Sequence, residues 1–403
     1  MSARTLTILG ATGSVGRATL DLVAAAPEGA FAVTALTAGT RAQELAELAL
    51  TFRPAFTAIA DEAGAPVLAS ALAGSGLRWG AGHAAVIEAA RMDADWTMAA
   101  IVGAAGLAPT LAAVARGRTV ALANKEALVC AGPLFMQAAQ DAGTTLLPVD
   151  SEHNAIFQAL GGRDASAVRR IILTASGGPF RDRSLAEMAA AGPGDATAHP
   201  VWPMGAKISV DSATMMNKGL EVIEACHLFA IGQDRVDVLI HPQSIIHGLV
   251  EHVDGGLIAQ MGAPDMRTPI AHALGWPGRV ETCVDRLDLA ALGALTFFRP
   301  DPERFPALDL AREAFLAGGA APAILNAANE VAVEAFLNGH VGFLDIAAIV
   351  AESLAAGEGS VRGPLNDFDA VFAADAEARR IAHRYVAERS GRMASLAQGG
   401  VTR

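Results

Sequence analysis

Five polar residues, Asp150-Ser151-Glu152-His153-Asn154, directly follow the apolar run Leu146-Leu147-Pro148-Val149. On an extended backbone, residues two apart point the same way, so Asp150 and Glu152 can face one point. Two such carboxylates repel unless a proton or a cation lies between them. Hard divalent ions such as Mg²⁺ and Mn²⁺ take oxygen ligands and leave room for water or substrate. A third acid is then needed, and Glu221 in Asn217-Lys218-Gly219-Leu220-Glu221 is its best source, rising from an expected helix among apolar neighbours. A helix cap at Asp150 or Ser151, with an ordinary helix starting at Glu152, explains the same residues. The stretch alone leaves both readings open.

A second polar cluster, HPVWPMGAKISVDSATMMNKGLE, spans 199–221. Pro200 and Pro203 stiffen a loop holding His199, Trp202 and Met204, which reads as a water-excluding lid or as a core Trp under a surface loop. Ser212, Asn217 and Lys218 supply hydroxyl, amide and ammonium donors. Ser176-Gly177-Gly178 adds a hydroxyl and exposed backbone N–H groups, and together these make a phosphate cradle. Taken alone, Ser212 reads as a helix cap. Lys125, in Asn124-Lys125-Glu126, reads either as the partner of Glu126 or as an active-site ammonium. His241 and His247 flank HPQSIIH, and His241 reads as structural.

Gly10-Ala11-Thr12-Gly13-Ser14-Val15-Gly16 lies between a strand and a helix, the context of a dinucleotide's pyrophosphate site. No acid follows the second strand in Thr37-Ala38-Gly39-Thr40-Arg41, where an NAD site holds the ribose hydroxyls. Arg41 suits a 2′-phosphate, which favours NADP. Its plainer reading is a solvated charge at a helix start.

The elements that must position these groups alternate. Strands are expected at Leu6–Leu9, Phe31–Leu36, Trp96–Ile101, Thr119–Ala123 and Thr144–Val149, with helices such as Arg17–Ala26 and Arg41–Thr51 between them. This cadence predicts a doubly wound parallel α/β sheet, which binds ligands at the carboxyl ends of its strands. Residues 151–290 read as an α+β region, with strands at Arg170–Thr174, Val236–Ile240, Ile245–Val250 and Gly256–Met261 and a helix over 214–230. The proline-rich stretch 296–306 reads as a linker. Helices follow at Asp309–Ala317, Ala323–Asn338, Leu344–Ala355 and Ala370–Ser390, with 391–403 a tail.

The chain has 403 residues, 52% hydrophobic and 18% charged, so two or three folded domains are expected. A net charge of −12 argues against nucleic acid as partner. No apolar stretch is long enough for a membrane helix. An early first strand leaves no room for a signal peptide, and Cys130, Cys226 and Cys283 are few and scattered. A cytoplasmic location with reduced thiols is expected.

In order, these segments resemble the 1-deoxy-D-xylulose 5-phosphate reductoisomerase family. The matching motifs are GATGSVG (10–16), ALANKEALV (121–129), PVDSEHNAIFQ (148–158), TASGGPFR (174–181), HPVWPMGAKISVDSATMMNKGLEVIEA (199–225), HPQSIIH (241–247), GAPDMRTPIA (262–271) and NAANEVAV (326–333). The resemblance implies an NADPH-dependent oxidoreductase of the non-mevalonate isoprenoid pathway. It would rearrange and reduce the phosphosugar 1-deoxy-D-xylulose 5-phosphate to 2-C-methyl-D-erythritol 4-phosphate. It implies a divalent metal (Mg²⁺, Mn²⁺ or Co²⁺) on Asp150, Glu152 and Glu221, which with Lys125 form the catalytic set. Ser176, His199, Ser212, Asn217 and Lys218 would hold the phosphate, and Ser151 and Lys125 would face the substrate hydroxyls and the metal. Trp202 and Met204 would close the lid, with His247 and Met266 lining the pocket. Thr12, Gly13, Ser14, Val15, Gly39, Thr40, Arg41, Asn124, Glu126 and Gly205 would contact the cofactor.

The implied organisation is a homodimer with an N-terminal Rossmann-like cofactor domain (1–150). A central α+β catalytic and dimerisation domain (151–295, lid 196–206), a linker (296–311) and a C-terminal helical domain (312–403) follow. Family members often carry Lys-Asn after the glycine at 39, where this chain has Thr40-Arg41. Pro203 fills a variable position of the lid and stiffens it. Two other functions compete: an NADP-dependent dehydrogenase acting on another phosphosugar without metal, and a dinucleotide-sensing binding protein.

Overall fold

The computed structural model describes residues 3–162, 165–202, 204–360 and 365–399. Two compact units result, the first from 1–127, 135–157 and 265–286 and the second from 128–134, 158–264 and 287–403.

The first unit is built on a seven-stranded sheet of β1 (Arg4–Leu9), β2 (Phe31–Ala38), β3 (Phe56–Ile59), β4 (Trp79–Ala81), β5 (Trp96–Ala99), β6 (Thr119–Leu122) and β7 (Thr145–Pro148). Their order is β4-β3-β2-β1-β5-β6-β7 and every neighbouring pair is parallel. The order reverses beside β1, at the switch point where doubly wound sheets bind ligands. Five of these strands are expected from sequence; β3 and β4 are the additions, four and three residues long. Leu6, Ile8, Leu36, Ile59, Trp96 and Met98 are fully buried in its core, each such side chain contributing about 1.5–3 kcal/mol. The distant helix Arg267–Gly275 closes this core with Ile270 and Leu274, and its Ala273 carbonyl accepts from Trp96 Nε1 at 3.1 Å.

The second unit holds a four-stranded sheet of β8 (Val168–Ala175), β9 (Val236–Ile240), β10 (Ile246–His252) and β11 (Leu257–Met261), ordered β11-β10-β8-β9. β8 pairs parallel with β9 and antiparallel with β10. The helix expected over 214–230 is Met216–Leu228, and a further helix, Ala206–Thr214, precedes it across a break at Met215, whose φ is +65°. The proline-rich stretch is tied down: Phe298 and Ile240 exchange two backbone hydrogen bonds of 2.9 Å. Arg304 donates to the carbonyls of Arg181 and Arg183. The helices Ala307–Ala317, Ala321–Leu337, Phe343–Ser360 and Phe368–Gly399 complete the unit. The expected tail is thus helical through Gly399, and 400–403 lie outside the described residues. Among those residues no helix is long and apolar enough to cross a membrane.

Candidate active site

In the first unit, the glycine loop leaves β1 and turns into the helix Ser14–Ala25 with Gly13 at its N-cap. A Cβ on Gly16 would stand 2.7 Å from Ala11 Cα, so only glycine lets the helix close on the loop. Gly10 N donates to Thr37 Oγ1 at 3.0 Å and Ala11 N to the Thr37 carbonyl at 2.7 Å, fixing the loop on β2. Thr12 is buried, while Ser14, Gly39, Thr40 and Arg41 are exposed and Val15 is half-buried. A helix starting at Ser14 directs its first N–H groups out of the loop, as a pyrophosphate requires.

Asn124 follows β6 and is a brace. Its amide donates to the carbonyls of Ile101 and Gly103 and to Glu126 Oε2, and its oxygen accepts from Ala127 N. Lys125 is ion-paired with Asp150, and both side chains are largely buried.

The segment after β7 is not extended. Asn154 N donates to the Asp150 carbonyl at 2.9 Å, and a helix runs over Ser151–Leu160. The capping alternative therefore describes the backbone, with Asp150 Oδ1 accepting from Ser151 N at 3.2 Å. The reason is local: the helical bond from Asn154 N outcompetes any strand partner, because β7 has already ended at Pro148. Glu152 lies in the first helical turn and accepts from Ser151 Oγ at 2.5 Å. Asn154 Nδ2 donates to the Pro148 carbonyl at 2.8 Å and to His272 Nδ1 at 3.1 Å. Burial lowers the His272 pKa to about 4, which keeps the ring neutral and able to accept that bond. Met266 packs on the same core.

In the second unit, Ser176 follows β8. Its hydroxyl lies 2.9 Å from His199 Nε2 and accepts from Gly178 N at 3.1 Å. His199 Nδ1 accepts from the Val201 and Trp202 backbone, leaving the neutral ring's proton on Nε2, aimed at Ser176. Gly178 has φ +67°, and a Cβ there would stand 2.8 Å from the Ser212 carbonyl. Glycine therefore brings the Ser176 loop against the helix that carries Ser212. Ser212 is no N-cap: it sits in the last turn of Ala206–Thr214.

The turn at Met215 starts a new helix with Asn217, Lys218 and Glu221 on adjacent faces. Glu221 accepts from Asn217 Nδ2 and from Lys218 Nζ, each at 2.6 Å, and is fully buried. Trp202 packs on His247, ring centroids 5.9 Å apart, and His247 Nε2 lies 3.1 Å from the Gly262 carbonyl. Met204 is half-buried and Gly205 is the N-cap of Ala206–Thr214; Pro203 lies outside the described residues. His241 is structural: Nδ1 bonds the Thr296 carbonyl, Nε2 accepts from Ile245 N, and the ring stacks on Phe297.

Two supports escape sequence reading. One is the Asn154–His272 bond. The other is buried Asp211, which takes Lys207 at 2.8 Å and Asn329 Nδ2 at 2.8 Å. The available signal was an amide on a helix, Asn154 at the end of the polar run 150–154 in one case and Asn329 of NAANEVAV in the other.

Asp150 and Glu152 of the first unit and Glu221 of the second offer carboxylate oxygens, the ligand type hard divalent cations take, and Asp150 and Glu221 each hold an ammonium against them. The open N-cap glycine and the exposed guanidinium at Arg41 fit a phosphorylated dinucleotide.

Family models described as 1-deoxy-D-xylulose 5-phosphate reductoisomerase, its C-terminal domain, and the DXP reductoisomerase C-terminal domain match residues 6–132, 146–229 and 261–381. The 1-deoxy-D-xylulose 5-phosphate reductoisomerase of Rhodospirillum centenum is 58% identical over 96% of this chain and 96% of its own. That of Zymomonas mobilis is 56% identical over 93% and 96%. A solved structure of the Zymomonas mobilis enzyme in complex with NADPH superposes with a TM-score of 0.88 at 53% identity, covering 96% of this chain and 99% of that one. Another reductoisomerase, solved with NADPH, fosmidomycin and magnesium, gives 0.90 at 42% identity, covering 95% and 98%.

Proposed function

The chain belongs to the 1-deoxy-D-xylulose 5-phosphate reductoisomerase family, and from that premise we propose how its own residues carry the reaction. The protein is an NADPH- and divalent-metal-dependent oxidoreductase that converts 1-deoxy-D-xylulose 5-phosphate to 2-C-methyl-D-erythritol 4-phosphate. The observation that carries the residue assignment is buried, compensated charge: Lys125 with Asp150, and Lys218 with Glu221.

Asp150, Glu152 and Glu221 are the metal ligands in this reading. When bound, the metal polarises the substrate's carbonyl and hydroxyl oxygens, and NADPH supplies the hydride. Lys125 pairs with Asp150 and donates to a substrate hydroxyl, which Ser151 also faces. Ser176, Ser212, Asn217 and Lys218 donate to the phosphate, with His199 orienting Ser176. Trp202 and Met204 exclude water above the reacting carbons, and His247 and Met266 line the pocket. Thr12, Gly13, Ser14 and Val15 bind the pyrophosphate. Gly39, Thr40 and Arg41 bind the adenosine ribose, and Asn124, Glu126 and Gly205 the rest of the cofactor.

The cofactor domain spans 1–150 and the catalytic and dimerisation domain 151–295, with its lid at 196–206. The linker spans 296–311 and the helical domain 312–403. The enzyme works as a cytoplasmic homodimer, a state that light scattering on the purified chain will report.

The test of the chemistry is NADPH consumption with 1-deoxy-D-xylulose 5-phosphate before and after chelation. Loss on chelation and return with Mn²⁺ or Mg²⁺ is expected. Turnover that survives full chelation would mean direct hydride transfer without a metal.

A further inference from the structure

Beyond the end of β2, two guanidiniums of the first unit meet on one carboxylate. Glu44, in the first turn of the helix Ala42–Phe52, is ion-paired with Arg17 from the glycine-loop helix. Its Oε2 also lies 3.5 Å from Arg41 Nη1. Arg17 Nε donates to the Thr12 carbonyl at 3.3 Å, which ties its guanidinium to the glycine loop. All three side chains are partly open to solvent, with 47% of Arg17, 51% of Arg41 and 37% of Glu44 exposed.

An acid near the end of the second strand is what an NAD site offers the ribose hydroxyls. No acid stands at that place here; the first one after it, Glu44 in the next helix, is covered by two cations, so the cluster carries a net positive charge. We propose that Arg17 and Arg41 form a two-armed clamp on the 2′-phosphate of NADPH, with Arg17 as a selectivity determinant additional to Arg41. This rests on the NADPH reading above.

The physical case is differential. Two guanidiniums this close repel, and Glu44 offsets that repulsion while the ribose site lacks a phosphate. A phosphate monoester offers more charge and more acceptor oxygens than one carboxylate, so it takes the free edges of both forks. A ribose hydroxyl offers neither, and Glu44, the first acid after β2, is occupied by the two arms. Arg17 can serve because the bond to Thr12 holds it beside the loop on which the cofactor's other phosphates rest. Glu44 opposes a dianion, so its charge should weaken NADPH binding while keeping the clamp assembled.

The test is calorimetric titration of the full chain with adenosine 2′,5′-bisphosphate and with adenosine 5′-monophosphate. Wild type should favour the bisphosphate. Arg17→Ala should cut that preference about tenfold, the worth of one charge-assisted hydrogen bond. Arg17→Lys should keep part of it, and Glu44→Gln should raise it. Arg78→Ala, which removes an exposed arginine paired with Glu88 elsewhere in the unit, should leave it unchanged. If wild type prefers the bisphosphate and Arg17→Ala prefers it equally, the Arg17 assignment is wrong while the NADPH reading stands. If wild type shows no preference, the NADPH reading itself fails. If Arg17→Ala weakens both ligands alike, the residue is structural and the proposal is overturned.

Discussion

Lys125 and Asp150 belong to the loops after β6 and β7, adjacent strands of the first unit's sheet, and their side chains are 7% and 17% exposed. Lys218 and Glu221 stand three residues apart on one helix of the second unit, 5% and 0% exposed. The charges are alike but the scaffolds differ. The loop pair is held by sheet topology and touches water, so it can loosen when a loop shifts. The helix pair is held by covalent spacing in a dry interior, where an ammonium and a carboxylate have few alternatives to each other. Both pairs put a basic group beside an acid assigned to the metal. Only the second does so where desolvation makes the geometry stiff.

The sharpest way to break that comparison is Glu221→Gln. The amide still accepts from Lys218 but gives up the negative charge. We expect metal-dependent activity to fall by about a thousandfold, the scale of losing a principal electrostatic contributor. Stability should fall by at most about 3 kcal/mol, the lower end for breaking a buried pair. NADPH affinity should hold. Equal loss of metal and NADPH binding, read by titrating each, would point to misfolding and remove the ligand role. Lys125→Ala is the matching change in the loop pair. Asp150 keeps 17% of its side chain exposed, so the stability cost should be smaller than that of Glu221→Gln. The rate should still drop about a hundredfold, through the lost donor to substrate. A stability cost in urea melts as large as that of Glu221→Gln would abolish the distinction between the scaffolds.

What sequence discloses follows the same divide. The β-α cadence of the first unit was legible because its strands are apolar runs bounded by Gly-rich turns. β3 and β4 were too short to show periodicity. The glycine loop was legible because the motif is local. The conformation of Asp150–Glu152 was not, since spacing of two suits a strand and the same residues also start a helix. The break at Met215 was hidden because a left-handed turn there uses Met, where Gly or Asn would have announced it. The pairs Asn154–His272 and Asp211–Asn329 join residues far apart in the chain, and nothing local to either amide announces its partner. The return of residues 265–286 to the first unit has no local signature at all.

Gly178→Ala probes the second unit more gently. Its φ of +67° and the nearby Ser212 carbonyl oppose any Cβ. The strain should cost about 1–2 kcal/mol. By moving Ser176 away from Ser212 it should raise KM for the phosphosugar about tenfold with little change in KM for NADPH. A shift in the NADPH term alone would separate this loop from the phosphate.

The smallest effect compares the units through two half-buried histidines. Burial lowers the pKa of His272 in the first unit to about 4, and it also lowers that of His227 in the second. His272 has an ordinary value of 6.5 when unfolded. Between 6.5 and about 4 the unfolded chain therefore binds a proton that the folded chain does not. The stability this ring contributes is complete above the upper value, declines as pH falls through the window, and levels off below the lower one. Protonation would also put an N–H on Nδ1, where Asn154 Nδ2 now donates, and so loosen the turn that carries Asp150 and Glu152. In His272→Gln the side-chain oxygen can still accept from Asn154 but does not titrate. Urea melts across the window should give a shallower loss of stability for this variant than for wild type, the remaining slope coming from His227 and other groups. Parallel slopes would mean that His272 is solvated enough to titrate normally, and that the first turn of the helix Ser151–Leu160 is held without it.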